Sequence, residues 1–214
     1  MPNYHGLTAF AVLAHVRARY FPPQVGGLGA TVASNGGVFR IDHDQAFNQT
    51  THLQYQPWKT LPWVAMNWRY DSGLVASNPL VADFQTAIGA NGGTPLDGDQ
   101  QAAIGLFCGS TFATPSNPIT SCPLTTPQGS TLLHLAANGT NDPDHNPSRV
   151  APRNLFDVSV GDDDLFHGDH YKWSLRLTAI NVTNKVALYN FLSTFSGTHF
   201  VTPRAMTAEL GFHF

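Results

Sequence analysis

Apolar and polar residues alternate along much of the chain, and a period of two is typical of β-strands whose two faces meet different surroundings. Every second residue from Val64 to Tyr70 is apolar. The other parity includes Asn67, Arg69 and Asp71, so the second face of this strand is expected to meet water. Patterns of this kind predict eight strands, over residues 7–20, 45–57, 62–73, 129–136, 153–160, 171–182, 186–193 and 204–214.

In the first and last predicted strands, one set of alternate residues can be assigned to the apolar face. In the first strand we assign Phe10 and Val12 to the apolar face, because the other parity ends in His15, Arg17 and Arg19. The last strand keeps one apolar parity up to the C-terminal residue. The members of that apolar face are Met206, Ala208, Leu210, Phe212 and Phe214.

Two fold classes fit such strands. In a soluble β-sandwich the apolar faces would form a core, here from the Phe10/Val12 and Leu175/Leu177 faces. In a transmembrane β-barrel they would face lipid, and the polar faces would line the lumen. Several predicted strands approach or exceed ten residues, whereas strands of soluble proteins usually have five or six. This length favours antiparallel transmembrane barrel strands in an all-β chain.

Aromatic residues and connection lengths also favour the barrel. Barrels carry aromatic girdles at both interfaces, with short turns on one side and long loops on the other. Aromatic residues near predicted strand ends are Tyr20, Tyr55, Trp58, Trp63, Tyr70, Tyr171 and Phe214. The connections at 58–61 and 183–185 are short, and those at 21–44, 74–128, 161–170 and 194–203 are longer. We therefore expect both short turns at the periplasmic side and long extracellular loops opposite them.

The region of residues 74–153 is less regular and is predicted to be a long loop. Asp97, followed by good helix formers up to Ile104, predicts a short capped helix. Cys108 and Cys122 lie in this region. They are either two unrelated thiols or a disulfide, which would contribute about 3 kcal/mol in an oxidising compartment.

Composition excludes several functions. Only 12% of residues are charged and the net charge is −3, so a nucleic-acid partner is not expected. No apolar run is long enough for a membrane-spanning helix. Motifs for a catalytic serine, a zinc protease or a phosphate-binding loop are absent, so we predict no enzyme and no cofactor. The histidines and aspartates at 162–170 and 42–44 are interpreted as solvated loop residues, and no metal site is predicted.

The C-terminal third resembles a known family of membrane proteins. Residues 180–191, with the turn Asn-Val-Thr-Asn, resemble the penultimate hairpin of TonB-dependent outer-membrane receptors. Residues 196–200, leading into Pro203 and Arg204, are similar as well. The strand ending in Phe214 resembles the C-terminal signal read by the barrel-assembly machinery, and residues 68–73 resemble a late strand of such receptors.

This resemblance implies a role in nutrient import across the outer membrane of a Gram-negative type of cell, for a siderophore, cobalamin or oligosaccharide. Family members have a plug domain, a box that couples to the TonB complex, and a barrel of about 22 strands. We find neither plug nor box in residues 1–214, so we expect the terminal part of a receptor barrel, about eight strands of a partial barrel. Its partners would be outer-membrane lipid, the remaining strands and plug, the TonB complex and the assembly machinery.

These expectations assign specific roles to some residues. The alternating final strand, from Met206 to Phe214, would be the barrel-assembly signal. The candidates for the lumen wall are Asn67, Arg69, Asp71, Lys172, Arg176 and Glu209. Two alternatives stay open: a small self-contained outer-membrane barrel that serves as an adhesin or structural protein, and a soluble β-sandwich that binds carbohydrate.

Overall fold

The fold is all-β, as the alternation predicts. A computed structural model describes residues 4–21, 37–76, 81–167, 170–193 and 197–214. Half of the chain is strand and 5% is helix, and the sheets are antiparallel. The class predicted from the sequence is therefore confirmed at this level, and no closed barrel is formed within the described residues. The glycine-rich stretch of residues 26–36 and the pair Gly168–Asp169 lie outside the described residues.

Fifteen strands and two short helices can be assigned in the described parts of the chain. The strands are β1 (Leu7–Val16), β2 (Arg19–Tyr20), β3 (Phe39–Arg40), β4 (Gln45–Tyr55), β5 (Trp63–Asp71), β6 (Leu106–Cys108), β7 (Thr111–Phe112), β8 (Gln128–Ser130), β9 (Leu133–His134), β10 (Arg149–Val150), β11 (Arg153–Asp162), β12 (Lys172–Ile180), β13 (Leu188–Ser193), β14 (Gly197–Phe200) and β15 (Ala205–His213). The helices are α1 (Phe84–Ala87) and α2 (Gly98–Ala103).

The six longest strands form one sheet, which we call the main sheet. Its order is β1-β4-β5-β11-β12-β15, so neighbours in the sheet follow one another along the chain. Each neighbouring pair is antiparallel. Within the described residues, β1 and β15 each pair on one side only and are the two edges. The eight predicted strands thus supply six to the main sheet, because residues 129–136 and 186–193 fold elsewhere.

The two ends of the main sheet differ strongly. At one end, the turn end, residues 56–62 join β4 to β5, residues 163–171 join β11 to β12, and β15 finishes. The opposite end, where β1, β5 and β12 finish, is called the loop end. The sequence predicts the turn at 183–185 on the same side as the turn at 58–61 and the connection at 161–170 on the opposite side. In the structure the turn at 183–185 lies at the loop end and the connection at 161–170 lies at the turn end, so both predictions are wrong. The reason is that β13 does not return through the main sheet.

The strand register separates the side chains of the main sheet into two faces. Pairs such as Val64 with Val160 and Trp173 with Phe212 lie on the apolar face. Pairs such as Asn67 with Asp157 and Arg176 with Glu209 lie on the other, polar face. The described residues place no second sheet over the apolar face, and Leu177 and Phe212 remain 45% and 47% exposed there.

The face assigned to the first strand is wrong. In the structure Leu7 and Leu13 lie on the apolar face, beside Tyr55 and Gln49 of β4. Phe10 points to the polar face, where its ring stacks on His52 at 5.1 Å. Both parities of β1 are apolar, so its own sequence does not decide the face, and pairing with β4 does. The Phe10/Val12 and Leu175/Leu177 faces therefore lie on opposite sides of the sheet and form no common core.

The larger buried core of the described residues lies at the loop end and not on the main sheet. Residues 81–150 fold into a lobe whose interior contains Ile104, Leu106 and Val150, each fully buried. The predicted helix is present as α2: Asp97 accepts a hydrogen bond from the Gln100 amide, and the Gln100 side chain accepts one from the Asp97 amide. A disulfide joins Cys108 to Cys122 in the same lobe.

The strand predicted at 186–193 exists, but it belongs to the lobe. It is β13, which pairs only with β14 in a two-stranded sheet of the described residues. Leu188 and Phe191 are each 1% exposed and pack into the lobe core beside Val150. Burying such side chains is worth about 2 kcal/mol each relative to leaving them in water. This packing holds β13 away from the main sheet.

The strand predicted at 129–136 is interrupted in the middle. The Ser130 hydroxyl accepts hydrogen bonds from the amides of Leu132 and Leu133 and donates one to the Ile104 carbonyl. A side chain that bonds nearby amides replaces the regular ladder with a turn. The segment therefore forms two short strands, β8 and β9, which lie in separate small sheets of the lobe.

Candidate functional site

The polar face of the main sheet carries an ionic network near the loop end. Arg69 on β5 donates to both oxygens of Asp157 on β11, at 2.9 and 3.2 Å. Arg153, only 3% exposed, bonds the Asp71 carboxylate and the Leu188 carbonyl. Register explains the proximity, since Asn67 lies opposite Asp157, and Asp71 opposite Arg153. Four charges of alternating sign are thus fixed across two adjacent strands.

Tyr189 of β13 joins this network from above the sheet. The Arg153 guanidinium lies 4.6 Å from the centre of the Tyr189 ring, a distance suited to a cation–π contact. Arg69 donates to the Tyr189 hydroxyl at 3.5 Å. A small cavity of about 190 Å³ opens between Asn48 and these three side chains. The alternation of apolar and polar residues does not predict this contact, because it assigns residues 186–193 to the main sheet.

The connection after β12 folds back over the polar face. Leu155, an apolar residue on this face, is 2% exposed because Ala187 and Val201 cover it. Asn181 fixes the bend: it has a φ of +47°, its side chain donates to the carbonyls of Lys185 and Thr202, and it accepts from the Lys185 amide. Asparagine tolerates this left-handed conformation better than other non-glycine residues. The Asn-Val-Thr-Asn turn therefore has a defined structural role.

The three lumen candidates Lys172, Arg176 and Glu209 lie nearer the turn end. Arg176 is opposite Glu209 in the register, and its guanidinium lies 5.8 Å from the centre of the Trp63 ring. Lys172 is 3.8 Å from the Asp164 carboxylate. All six candidates thus share the polar face, but Asn67, Arg69 and Asp71 form one group and these three another.

Polar contacts continue between the two groups. His52 on β4 bonds the Asn67 side chain at 2.7 Å, and Ser159 and Thr178 bond each other at 3.0 Å. Most of these side chains have protein partners. The polar face is therefore ionic and hydrogen-bonded across β4, β5, β11 and β12, in contrast to the opposite face.

The five residues of the proposed assembly signal all lie on the apolar face of β15 or its continuation. Met206 and Leu210 are 78% and 64% exposed. The Phe212 ring stands 4.8 Å from that of Trp173 and 5.8 Å from that of Tyr171. Phe214 extends this aromatic group at 6.2 Å from Phe212. The group forms a belt of rings at the turn end of the apolar face.

Two aromatic residues expected in such girdles lie elsewhere. The register puts Trp63 on the polar face, where its ring crosses Gly161 and its Nε1 donates to Asp163 at 3.0 Å. Tyr20 lies in β2, outside the main sheet, and stacks on Phe39 at 4.9 Å. For Trp63 the parity already points to the polar face, since it matches that of Asn67.

Residues of the acidic and histidine-rich loops make structural hydrogen bonds. His167 bonds the Thr60 carbonyl at 3.0 Å and thereby connects the two turn-end segments. At the loop end Asp44 is fully buried and accepts from Arg40, Arg149 and the Ala18 amide. Burial raises the pKa of Asp44, but these hydrogen bonds outweigh it and the pKa lies below its ordinary value. Among the described residues, no group of three possible ligands is arranged to hold a metal ion.

No protein-family model matches the chain, and no curated protein matches it. None of the helices in the described segments is long and apolar enough to cross a membrane.

Proposed function

We propose that this chain is the C-terminal barrel portion of a TonB-dependent outer-membrane receptor for nutrient uptake. It supplies wall strands, outer loops and the assembly signal, and it carries out no catalysis. The other receptor strands pair with its two edges, and the plug lies against the polar face. The substrate belongs to the siderophore, cobalamin or oligosaccharide class that such receptors import.

The observation that carries this proposal is the apolar face of the main sheet, which no other described part of the chain covers. A soluble monomer rarely exposes a large continuous apolar patch. Here such a patch crosses the main sheet from Leu7 on β1 to Met206 on β15, while the same protein builds a well-buried core in its lobe. Lipid is the solvent that favours an apolar face opposite an ionic one. The belt of aromatic side chains around Phe212 and the alternating end at Phe214 support the same proposal.

The four tryptophans allow a direct test of which face meets hydrocarbon. Trp68 and Trp173 lie on the apolar face, and Trp63, on the same strand as Trp68, lies on the polar face. In variants that keep one tryptophan each, with phenylalanine at the others, we expect brominated dodecyl maltoside micelles to quench Trp68 and Trp173. The matched control is Trp63, which we expect to be quenched much less.

Two results would contradict the membrane interpretation. One is equal quenching of Trp63 and Trp68, which would show that the faces do not differ in their contact with detergent. The other is a monomer that stays in solution without detergent, with unquenched Trp68, which would favour the β-sandwich that binds carbohydrate.

The receptor assignment itself needs a second measurement, the coding sequence upstream of Met1. We expect it to encode a plug and about 16 further strands, since such barrels have about 22 and the main sheet has six. A short open reading frame that encodes a complete secreted protein would instead favour the small self-contained barrel that serves as an adhesin or structural protein.

A further inference from the structure

The lobe contains a second cavity, separate from the ionic network on the main sheet. Its volume is about 440 Å³, within the range of ligand-binding pockets. Phe84 of α1 and Phe107 of β6 form apolar parts of its wall. The Phe107 ring packs against the backbone at Gly129, where a Cβ atom, if one were added, would stand 3.3 Å from the ring. Phe107 is half-buried and Phe84 is only 3% exposed, so Phe107 offers the accessible aromatic surface of the cavity.

Four polar side chains also line this cavity: Gln128, Ser130, His134 and Asn138. The Ser130 hydroxyl is already used in its bonds to Ile104, Leu132 and Leu133. The Gln128 side-chain carbonyl accepts from Gln85 at 3.0 Å, which leaves the Gln128 amide NH₂ for another acceptor. Across the described parts of the chain, the side chains of His134 and Asn138 have no hydrogen-bond partner. Convergent polar groups of this kind set the orientation of a ligand in a pocket that is otherwise apolar.

Charge restricts the class of ligand. Among the described residues that line the cavity, none is Lys, Arg, Asp or Glu. The nearest acid along the chain, Asp83, is 3% exposed and is used to cap α1, where it accepts from Thr86. An anionic ligand would find no lysine or arginine in this wall and a cationic ligand no carboxylate, and burying an unpaired charge is costly. The cavity is therefore suited to a neutral ligand.

We infer that this cavity binds a neutral carbohydrate of one or two sugar units. A pyranose has an apolar face for the Phe107 ring and hydroxyl groups for the Gln128 amide, the His134 imidazole and the Asn138 amide. Purely apolar ligands would leave these three polar groups unpaired, which costs free energy. The site stands independently of the membrane proposal, and only its extension to a transported substrate rests on that proposed function.

The test titrates the full chain in dodecyl maltoside with a panel of neutral sugars. Titration calorimetry and saturation-transfer NMR with cellobiose, chitobiose, galactobiose and sucrose should find saturable binding for at least one. Citrate and choline provide the anionic and cationic comparisons. Because the detergent carries a maltose headgroup, the titration is repeated in a zwitterionic detergent.

Single variants locate the binding. His134→Ala and Asn138→Ala remove side chains that have no partner among the described residues, so we expect the fold to be unchanged and the affinity to fall about three- to tenfold each, the value of one neutral hydrogen bond. Asn91→Ala is the matched control, an exposed asparagine of the same lobe outside the cavity. Gly129→Ala would place a Cβ atom 3.3 Å from the Phe107 ring and should shift the ring by a few tenths of an ångström, which tests the contact of this ring with the sugar.

The proposal is overturned if no sugar of the panel binds, if citrate or choline binds more tightly, or if the His134 and Asn138 variants bind like the Asn91 variant. Its failure is distinct from failure of the receptor proposal. Quenched Trp68 without sugar binding would leave a membrane wall with another substrate. Sugar binding with unquenched Trp68 would describe a soluble carbohydrate-binding module.

Discussion

Replacing Asp44 with asparagine should destabilise the loop end without changing the size of the side chain. Asp44 is fully buried and receives hydrogen bonds from Arg40, Arg149 and the Ala18 amide. It thereby connects the segment after β1, strand β3 and the end of the lobe. Asp44→Asn would leave two arginines without their counter-charge.

The expected loss follows from the burial of the ionic partners. Removing one member of a buried ion pair costs about 3–5 kcal/mol. The side chains of Arg40 and Arg149 are 14% and 18% exposed, so water can partly solvate them after the substitution. We therefore expect the free energy of unfolding to fall by about 3 kcal/mol, the lower end of that range.

Equilibrium urea unfolding of the full chain in detergent measures this loss, followed by tryptophan fluorescence. Asp99→Asn is the control, an exposed carboxylate in the first turn of α2, for which we expect a change below about 1 kcal/mol. Equal effects of the two substitutions would refute the structural role of Asp44.

The pH dependence gives an independent check of the same carboxylate. Because the pKa of Asp44 is lowered on folding, its charged form stabilises the protein at pH values above the ordinary pKa of 3.8. This contribution decreases as the pH falls through the lower pKa of the folded state. In Asp44→Asn that part of the acid dependence should be missing, whereas Asp99→Asn should keep it.

Two further substitutions test the lobe and the bend after β12. Removing the disulfide with Cys108→Ser and Cys122→Ser should cost about 3 kcal/mol, because it closes a loop of about 15 residues, and the melting temperature should then no longer respond to reductant. Asn181→Ala removes three side-chain hydrogen bonds and places alanine at a positive φ, so we expect a loss of about 3 kcal/mol in urea unfolding. Asn181→Gly accepts the same φ and should lose only the part due to the hydrogen bonds; an equal loss in both would refute the role of backbone conformation.

The sequence predicts the main sheet well wherever one parity is clearly polar. In β5 the residues Asn67, Arg69 and Asp71 fix the polar face, and β11, β12 and β15 follow the same rule. In β1 both parities are apolar, so only pairing with β4 places Phe10 beside His52. Alternation in the sequence shows which face of a strand is polar only when its two sets of alternate residues differ in polarity. Where both sets are apolar, as in β1, the sequence does not decide the face.

The lobe and the position of β13 could not be predicted from alternation. Leu188 and Phe191 look like wall residues in the sequence, but they complete a core whose other members come from residues 76–150. Contacts over such distances are decided by packing and leave no local pattern. For the same reason alternation does not predict the contacts of Tyr189 with Arg69 and Arg153, which define the ionic site.

The directions of the two edge strands restrict what can complete the main sheet. β1 begins at the turn end, opposite Tyr55, and β15 finishes at the turn end, opposite Lys172, so the edges run in opposite directions. An antiparallel barrel that includes this sheet must therefore add an even number of strands between them, or none. In lipid every unpaired backbone group costs several kcal/mol, so open edges are not stable in a membrane. If the apolar face meets lipid, both edges must therefore be paired, either by an even number of further strands or with each other.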